Sequence, residues 1–177
     1  TLEQRAAAFK LDLDDLVTGS EPALAPAARP VAPVRSPAPR VAASEPIAEP
    51  ETHFAGRFAW PLKGRILRPF GPLANGGRND GINIKARTGA TIAAAADGAV
   101  AYAATYPGFG QVVLIRHGNG WITLYGHAGA LLVKRGQAVT RGQPIASVGS
   151  TGSVSEPQLH FEIREGRRPV NPIDWLP

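Results

Sequence analysis

The chain of 177 residues contains no cysteine, so disulfides and thiolate metal sites are excluded, as is a lipid-modified N-terminal cysteine on this fragment. No run of about 18 uncharged apolar residues occurs, so no segment is expected to span a membrane. After residue 57 no amphipathic helical pattern is visible. The chain begins at Thr1 rather than Met, so we expect that an N-terminal piece is missing and that any signal peptide lies outside this sequence.

The net charge of +5 is divided unevenly along the chain. Residues 1–56 hold five Lys/Arg and eight Asp/Glu, whereas residues 57–177 hold fourteen and six, a balance of +8. A basic domain on an acidic tether favours a polyanionic partner. Nucleic acid, cell-wall polymer with free peptide carboxylates, and an acidic protein all meet that description, and charge alone does not choose among them.

The first residues predict a short helical segment over residues 1–20. Thr1 followed by Gln4 fits a capping box, and apolar residues recur at roughly helical spacing as far as Leu16. The segment resembles the two-helix part of a LysM module, whose flanking strands this sequence lacks. A capped helix at the end of a linker is the alternative.

A Pro/Ala-rich linker is predicted over residues 21–57. Residues 21–50 contain eight Pro and nine Ala in thirty positions. Such a composition cannot bury enough apolar surface to fold and favours extended, disordered chain. The linker is interpreted either as a spacer between an anchor and one working domain or as a disordered connector with no specific role.

Residues 58–177 carry short β-rich runs between glycine-rich turns, which predicts one all-β sandwich or barrel of about 120 residues. Gly118-Asn119-Gly120 separates two of the runs and is a strong hairpin signal. The predicted strands cover residues 64–68, 81–86, 91–95, 98–104, 111–117, 121–127, 137–140, 144–148 and 158–164.

The last of these runs, residues 158–164, alternates strictly between apolar and polar side chains. This period of two predicts a strand with one face in the core and one exposed face. The apolar positions are Leu159, Phe161 and Ile163; the polar positions are Gln158, His160, Glu162 and Arg164. An amide, an imidazole, a carboxylate and a guanidinium in a row indicate a functional site.

Several ordered motifs resemble the LytM, or lysostaphin-type, zinc endopeptidase domain of peptidoglycan metabolism. The resemblance runs from about Phe58 to Leu176, and it implies a LytM-type β-sandwich, a duplicated hybrid motif with a groove. The motifs that carry it are Asp97-Gly98-Ala99-Val100, Gly108-Phe109-Gly110, residues 121–127, residues 136–148, Gly149-Ser150-Thr151-Gly152, residues 159–164, and Asn171-Pro172-Ile173-Asp174-Trp175-Leu176.

The family's zinc site takes a His and an Asp four residues apart and the second His of a His-x-His strand. By this resemblance, Asn79 and Asn83 stand at the first two ligand positions, and Gln158 stands at the first His of His-x-His. His160 and His127 remain. Because amide oxygens are poor zinc ligands, we expect no metal, no cofactor, and no metal-activated water.

This combination resembles the non-catalytic LytM proteins of the NlpD, EnvC and DipM kind. The resemblance implies a non-enzymatic regulator that activates a periplasmic N-acetylmuramoyl-L-alanine amidase, which cleaves septal peptidoglycan during daughter-cell separation. The implied partners are that amidase and peptidoglycan rather than nucleic acid, and the implied location is the periplasm or cell envelope at the division site.

The groove of this domain is predicted to bind the partner. Arg164 is the favoured anchor because an arginine forms bidentate pairs with carboxylates, with a solvated surface charge as the alternative. Phe109, flanked by glycines at a loop tip, is either an exposed anchor or tucked under its loop. Tyr125 and His127 are two residues apart and are expected to share a face, although Tyr125 as a core ring stays open. The predicted groove residues are Asn79, Asn83, Phe109, Tyr125, His127, Gln158, His160, Glu162 and Arg164.

Three other functions remain alternatives. An active zinc endopeptidase conflicts with the amides at Asn79 and Asn83. A biotinyl or lipoyl carrier fits the rhythm of residues 133–145, but it requires a lysine at a hairpin tip, where this sequence has Gly118-Asn119-Gly120. A passive peptidoglycan-binding module is compatible with activation. The three tryptophans, Trp60, Trp121 and Trp175, are assigned to packing.

Overall fold

The computed structural model describes Phe54 and residues 56–177. The predicted helical segment over residues 1–20, with its LysM resemblance, and nearly all of the predicted linker lie outside the described residues. Within the described part of the chain, no helix is long and apolar enough to cross a membrane.

The described residues form an all-β domain, as the sequence predicts. Twelve strands are followed by a 3-10 turn at Pro172–Asp174. The strands are β1 (Ile66–Arg68), β2 (Gly71–Pro72), β3 (Arg78–Asn79), β4 (Ile82–Lys85), β5 (Thr91–Ala93), β6 (Gly98–Tyr106), β7 (Gly110–Arg116), β8 (Trp121–Leu131), β9 (Ala138–Val139), β10 (Pro144–Val148), β11 (Gln158–Glu165) and β12 (Arg168–Val170). Each predicted strand is found; β2, β3 and β12 were not predicted.

The main sheet has the order β1-β4-β11-β8-β7-β6-β9, and its pairings are antiparallel. The long strand β8 pairs with β11 and β7, and its last residues also pair with β10, which in turn pairs with β5. The short strands β2 and β3 form a separate two-stranded sheet beside β1. This topology places β11 between β4 and β8, in the interior of the sheet.

The β7–β8 hairpin forms where the sequence predicts it. Asn119 adopts a φ of 52° and its two flanking glycines also have positive φ, which is the backbone conformation that a tight hairpin turn requires. The turn is closed by Trp121 N–H donating to the Gly118 carbonyl at 3.0 Å.

The hydrophobic core takes one face of β11. Leu159, Phe161 and Ile163 are fully buried and belong to one cluster with side chains of β4, β5, β8 and β10. Burying a side chain of this size contributes about 1.5–3 kcal/mol to stability. The prediction that Leu159, Phe161 and Ile163 face the core is therefore confirmed.

The other face of β11 is not exposed, and that prediction is wrong. Gln158, His160 and Arg164 are only 5–7% exposed and Glu162 is 1% exposed. Alternation identifies which side chains share a face, but it cannot tell whether another segment covers the second face. Here the polar side chains bond to one another, and the Phe109 ring packs on His160.

Aromatic side chains close the domain at the Trp121 end of β8. Trp121 and Trp175 lie with ring centroids 4.4 Å apart, and Trp60 Nε1 donates to the Pro177 carbonyl. All three tryptophans pack against the core, as predicted. Phe54, within the predicted linker, stacks on Phe58 at 4.2 Å.

Candidate functional site

One row of residues crosses four strands of the main sheet. Arg68 of β1 is paired with Asn83 of β4, which faces His160 of β11, which faces Gly126 of β8. Directly opposed residues on neighbouring strands project to the same face. Arg68, Asn83 and His160 therefore share the polar face, and Gly126 leaves a gap in it.

Three amide side chains on this face bond to one another, and we call Asn79, Asn83 and Gln158 the amide cluster. Asn79 Nδ2 donates to Asn83 Oδ1 at 3.1 Å, and Asn83 Nδ2 donates to Gln158 Oε1 at 2.9 Å. Asn79 Nδ2 also lies 2.9 Å from the Pro69 carbonyl, so it joins the segment after β1 to the sheet. The structure thus brings these three residues together, as the sequence predicts, and their amide groups hydrogen-bond to one another.

A second set of bonds follows β11, and we call His160, Glu162 and Arg164 the ionic cluster. His160 Nε2 lies 2.8 Å from Glu162 Oε1, and Arg164 Nε donates to Glu162 Oε2 at 2.7 Å. Burial raises the pKa of the Glu162 carboxyl, but His160 and Arg164 outweigh it, so the pKa is lowered overall. Glu162 is accordingly a buried carboxylate held between two partners.

Arg164 is less accessible than the sequence suggests. Its side chain is 8% exposed and bonded to Glu162, so it is not the solvated surface charge of the alternative interpretation. An Arg164→Glu substitution would bury a second carboxylate beside Glu162, and we expect it to destabilise the fold. A partner contact by Arg164 stays a prediction. This substitution cannot test it, because a loss of binding would also follow from the loss of the fold.

His127 reaches the polar face through a bulge in β8. Gln111 pairs with Ala128 and Val113 with Tyr125, so β8 has one more residue than β7 over this stretch. His127 lies at this point with a φ of 61°, and its ring centroid is 6.1 Å from that of His160. The bulge brings the two histidines together.

The same bulge separates His127 from Tyr125, and the prediction that they share a face is wrong. Tyr125 is fully buried in the core beside Phe161. Its hydroxyl accepts a hydrogen bond from Ala95 N at 2.9 Å. The open alternative of a core ring is the one that the structure supports.

The ring of His127 is oriented by Thr151. Nδ1 donates to the Thr151 carbonyl at 2.8 Å. Burial is the largest cause and lowers the pKa of His127; hydrogen bonds to the Thr151 and Phe109 carbonyls oppose it, and His160 and Arg68 lower the pKa further. The net direction favours the neutral imidazole.

Phe109 covers the gap at Gly126. A Cβ added to Gly126 would lie 3.2 Å from Cδ1 of Phe109. The ring is half-buried and its centroid lies 5.1 Å from that of His160. Phe109 therefore packs over the histidines, and part of it remains accessible.

Two residues of this region were not predicted, Thr151 and Arg68. Thr151 Oγ1 accepts from Gln111 N and donates to the Ala128 carbonyl, so it fixes the loop of Phe109 to β8. A threonine in a glycine-rich turn gives no signal of such a role. Arg68 is recognisable only once the pairing of β1 with β4 is known.

Comparison with known proteins gives the family. Residues 77–172, more than half of the chain, match the model of peptidase family M23. The chain belongs to peptidase family M23. This match includes Asn79, His127 and the whole of β11.

Several curated proteins are similar to this M23 domain. The chain is 46% identical over 129 residues to the cell division protein DipM of Caulobacter vibrioides, covering 69% of this chain and 21% of that protein. It is 41% identical over 121 residues to the murein hydrolase activator NlpD of Escherichia coli, with coverage of 68% and 31%. For the Escherichia coli activator EnvC the identity is 43%, with coverage of 68% and 29%. The chain thus spans less than a third of the length of each of these relatives.

Solved M23 structures share the fold. A zinc-containing peptidase from Vibrio cholerae superposes with a TM-score of 0.61 at 34% identity, covering 65% of this chain and 39% of that one. The catalytic domain of lysostaphin from Staphylococcus simulans gives a TM-score of 0.59 at 27% identity, covering 63% and 90%. These likenesses agree with the predicted LytM-type fold.

The residues of the polar face do not fit a zinc ion. Catalytic zinc takes three ligands from imidazole, thiolate or carboxylate groups, and the amide cluster offers neutral amide groups already bonded to each other. His160 Nδ1 lies 3.3 Å from Asn83 Oδ1 rather than free. Among the described residues, no group of three or more His, Cys, Asp or Glu side chains could hold a metal ion.

Proposed function

We propose that this M23 domain performs no peptidase chemistry of its own and activates a peptidoglycan hydrolase. The specific partner is a periplasmic N-acetylmuramoyl-L-alanine amidase, acting on septal peptidoglycan as daughter cells separate. The domain supplies a docking surface, and the partner supplies the hydrolytic site.

The amide cluster is the observation that carries this proposal. By the family resemblance, Asn79 and Asn83 occupy zinc-ligand positions, and their amide groups bond to each other and to Gln158. Without a metal there is no lowered water pKa and no Lewis acid for peptide hydrolysis. A retained fold without that chemistry favours binding over catalysis.

The names of the relatives support the same function. NlpD and EnvC of Escherichia coli are murein hydrolase activators, and DipM is a cell division protein. Similar proteins from Pseudomonas aeruginosa and Escherichia coli are lipoproteins. These names support a location in the cell envelope, and the division site is the more specific location that we propose.

Dye release from labelled peptidoglycan sacculi tests the proposal. We expect the purified chain to release no dye alone, to bind no stoichiometric zinc, and to accelerate release by an amidase from the same cell. Release by the chain alone, with one bound zinc, would mean that it is an active endopeptidase.

A passive wall-binding module is the second candidate, favoured by the balance of +8 over residues 57–177. It predicts that the chain sediments with sacculi and leaves amidase rates unchanged. Sedimentation together with acceleration would support the activator.

A further inference from the structure

Strand β6 has an open edge at one end of the main sheet. On the side away from β7, the strand β9 pairs only with Gly98 and Ala99, and the turn before β9 bonds to Val100. Residues 102–105 pair with β7, and within the described part of the chain no backbone hydrogen bond joins them to any other segment. We call residues 102–105 the open edge.

Two hydrogen bonds show which backbone groups of the open edge point outwards. Thr105 lies opposite Gln111 of β7, but the Gln111 N–H donates to Thr151 Oγ1 at 2.9 Å instead. The Thr105 carbonyl accepts a hydrogen bond from the Tyr102 hydroxyl at 2.8 Å. Because the backbone groups of successive residues in an antiparallel strand point to alternate sides, those of Ala103 and Thr105 face away from β7.

The open edge lacks the features that usually prevent strands from pairing at a sheet edge. Natural edge strands carry charged side chains or proline, or are covered by a loop. Strand β6 contains no Asp, Glu, Lys, Arg or Pro, and its bulge lies at Ala101, before the open edge. By contrast, the strand at the other end of the main sheet, β1, carries the exposed Arg68. Outward N–H and C=O groups on an uncharged strand favour the addition of another strand.

The sequence of this strand suits pairing with a second copy of itself. Residues 102–106 read Tyr-Ala-Ala-Thr-Tyr, which is nearly the same in both directions. The two tyrosine rings of one copy lie with their centroids 6.5 Å apart. In an antiparallel pair centred on Ala104, Tyr102 lies opposite the second copy's Tyr106, and aromatic pairs across two strands are stabilising. Ala103 lies opposite the second copy's Thr105, so the outward backbone groups meet one another.

We propose that the open edge is an interface between two copies of this chain. The two β6 strands pair antiparallel about a two-fold axis at Ala104, an arrangement that is complete with two copies. Each Ala103 exchanges backbone hydrogen bonds with the second copy's Thr105, and the two main sheets become one continuous sheet. Because the ladder is short, we expect a weak dimer with a Kd on the order of 100 μM. The inference does not rest on the proposed function.

Sedimentation velocity of the full chain, at concentrations below and above that Kd, tests the interface. We expect the mass of the wild-type chain to rise from one copy towards two and no further. Ala104 is exposed, and Ala104→Glu places two like charges opposite each other at the axis, which should weaken the dimer on the order of tenfold or more. Ala104→Gln, without the charge, should keep it. Ala74→Glu makes the same change at an exposed turn between β2 and β3 and should have no effect.

A charge exchange tests the position of the axis. Ala104→Lys alone should be as monomeric as Ala104→Glu. An equimolar mixture of the two variants should recover the dimer, because opposite charges then face each other. Failure of the mixture to recover it would show that the two Ala104 positions are not opposite each other and would overturn the proposed pairing.

Cross-linking gives a second readout that needs no charged variant. The chain contains no cysteine, so oxidised Ala104→Cys should form a disulfide-linked dimer, and Ala74→Cys should not. A wild-type chain that stays monomeric, together with no cross-link at Ala104→Cys, would overturn the inference. Equal dimerisation of the wild type and Ala104→Glu would also overturn it.

The amidase assay separates a second copy from another protein. A wild-type chain that stays monomeric but loses its stimulation of the amidase in Ala104→Glu, and not in Ala74→Glu, would overturn the second copy as the occupant. The open edge would then take an extended segment of another protein. Dimerisation of a chain that does not stimulate the amidase would overturn the proposed function and leave this inference standing.

Discussion

At the scale of single residues, the polar face is held together by the buried carboxylate of Glu162. A carboxylate that is 1% exposed is stable there because His160 and Arg164 each bond to one of its oxygens. Removing its charge breaks the buried ion pair that Glu162 forms with Arg164. The ionic cluster is therefore a structural support of the site.

We predict that Glu162→Gln lowers the free energy of unfolding by about 3 kcal/mol, the usual effect of breaking a buried ion pair. Glu165→Gln is the control, because Glu165 ends the same strand and is exposed; its effect should stay within about 0.5 kcal/mol. Urea unfolding measures both. Similar effects in the two variants would show that the ionic cluster contributes little.

The sequence predicted which residues gather at the site but not how accessible they are. Spacing and family resemblance grouped Asn79, Asn83, Gln158 and His160, and the structure joins them by hydrogen bonds. The exposure expected for Arg164 was wrong, because the cover comes from residues distant in sequence. Arg68 could not be found at all, since its place depends on how β1 pairs with β4.

The bulge in β8 and the Phe109 loop shape the site at the scale of structural elements. Strand positions were predictable from alternation and turn residues, but one extra residue in β8 reverses the alternation at His127. A bulge has no sequence signature here. The assignment of Tyr125 to the groove failed for that reason.

Gly110 lies where the Phe109 loop packs closely against the Thr151 turn. An added Cβ would lie 2.2 Å from Thr151 Oγ1, and the φ of Gly110 is 68°. We predict that Gly110→Ala costs about 1–3 kcal/mol from the clash in addition to about 1 kcal/mol for the positive φ. It should also displace Phe109 from the histidines.

Gly108→Ala is the matched variant for this prediction. Gly108 has a φ of 82° with nothing within 4 Å of the added Cβ, so only the backbone term of about 1 kcal/mol applies. Thermal unfolding measures both. If Gly110→Ala is no more destabilising than Gly108→Ala, the close approach does not hold the loop.

A buried histidine makes the stability of the whole domain depend on pH. His117 is fully buried, with its ring nitrogens 2.7 Å from the Asp97 carbonyl and from Thr123 Oγ1. Burial lowers its pKa from 6.5 to about 4. The folded state therefore favours neutral His117, whereas the unfolded chain takes up a proton near pH 6.5.

We predict that the domain loses stability as the pH falls below 6.5, by about 3 kcal/mol near pH 4 from His117 alone. Above pH 6.5 this contribution is fully present. Urea unfolding from pH 7 to pH 4 measures the slope, which should become shallower in His117→Gln. An unchanged slope in that variant would assign the acid sensitivity to other groups.

The fold class of the whole domain followed from the sequence because short runs between glycine turns leave few alternatives to an all-β fold. The proposed function requires that the partner amidase, and not this domain, hydrolyses peptidoglycan. The bonds that are cut when both proteins are present show which of the two proteins does so.

Mass spectrometry of the soluble products from sacculi treated with amidase and the chain together tests it most directly. We predict that every additional cut lies at the amide between N-acetylmuramic acid and L-alanine, which is the bond that the proposed partner amidase cleaves. New cuts within the peptide cross-links, which appear only when this chain is added, would contradict it.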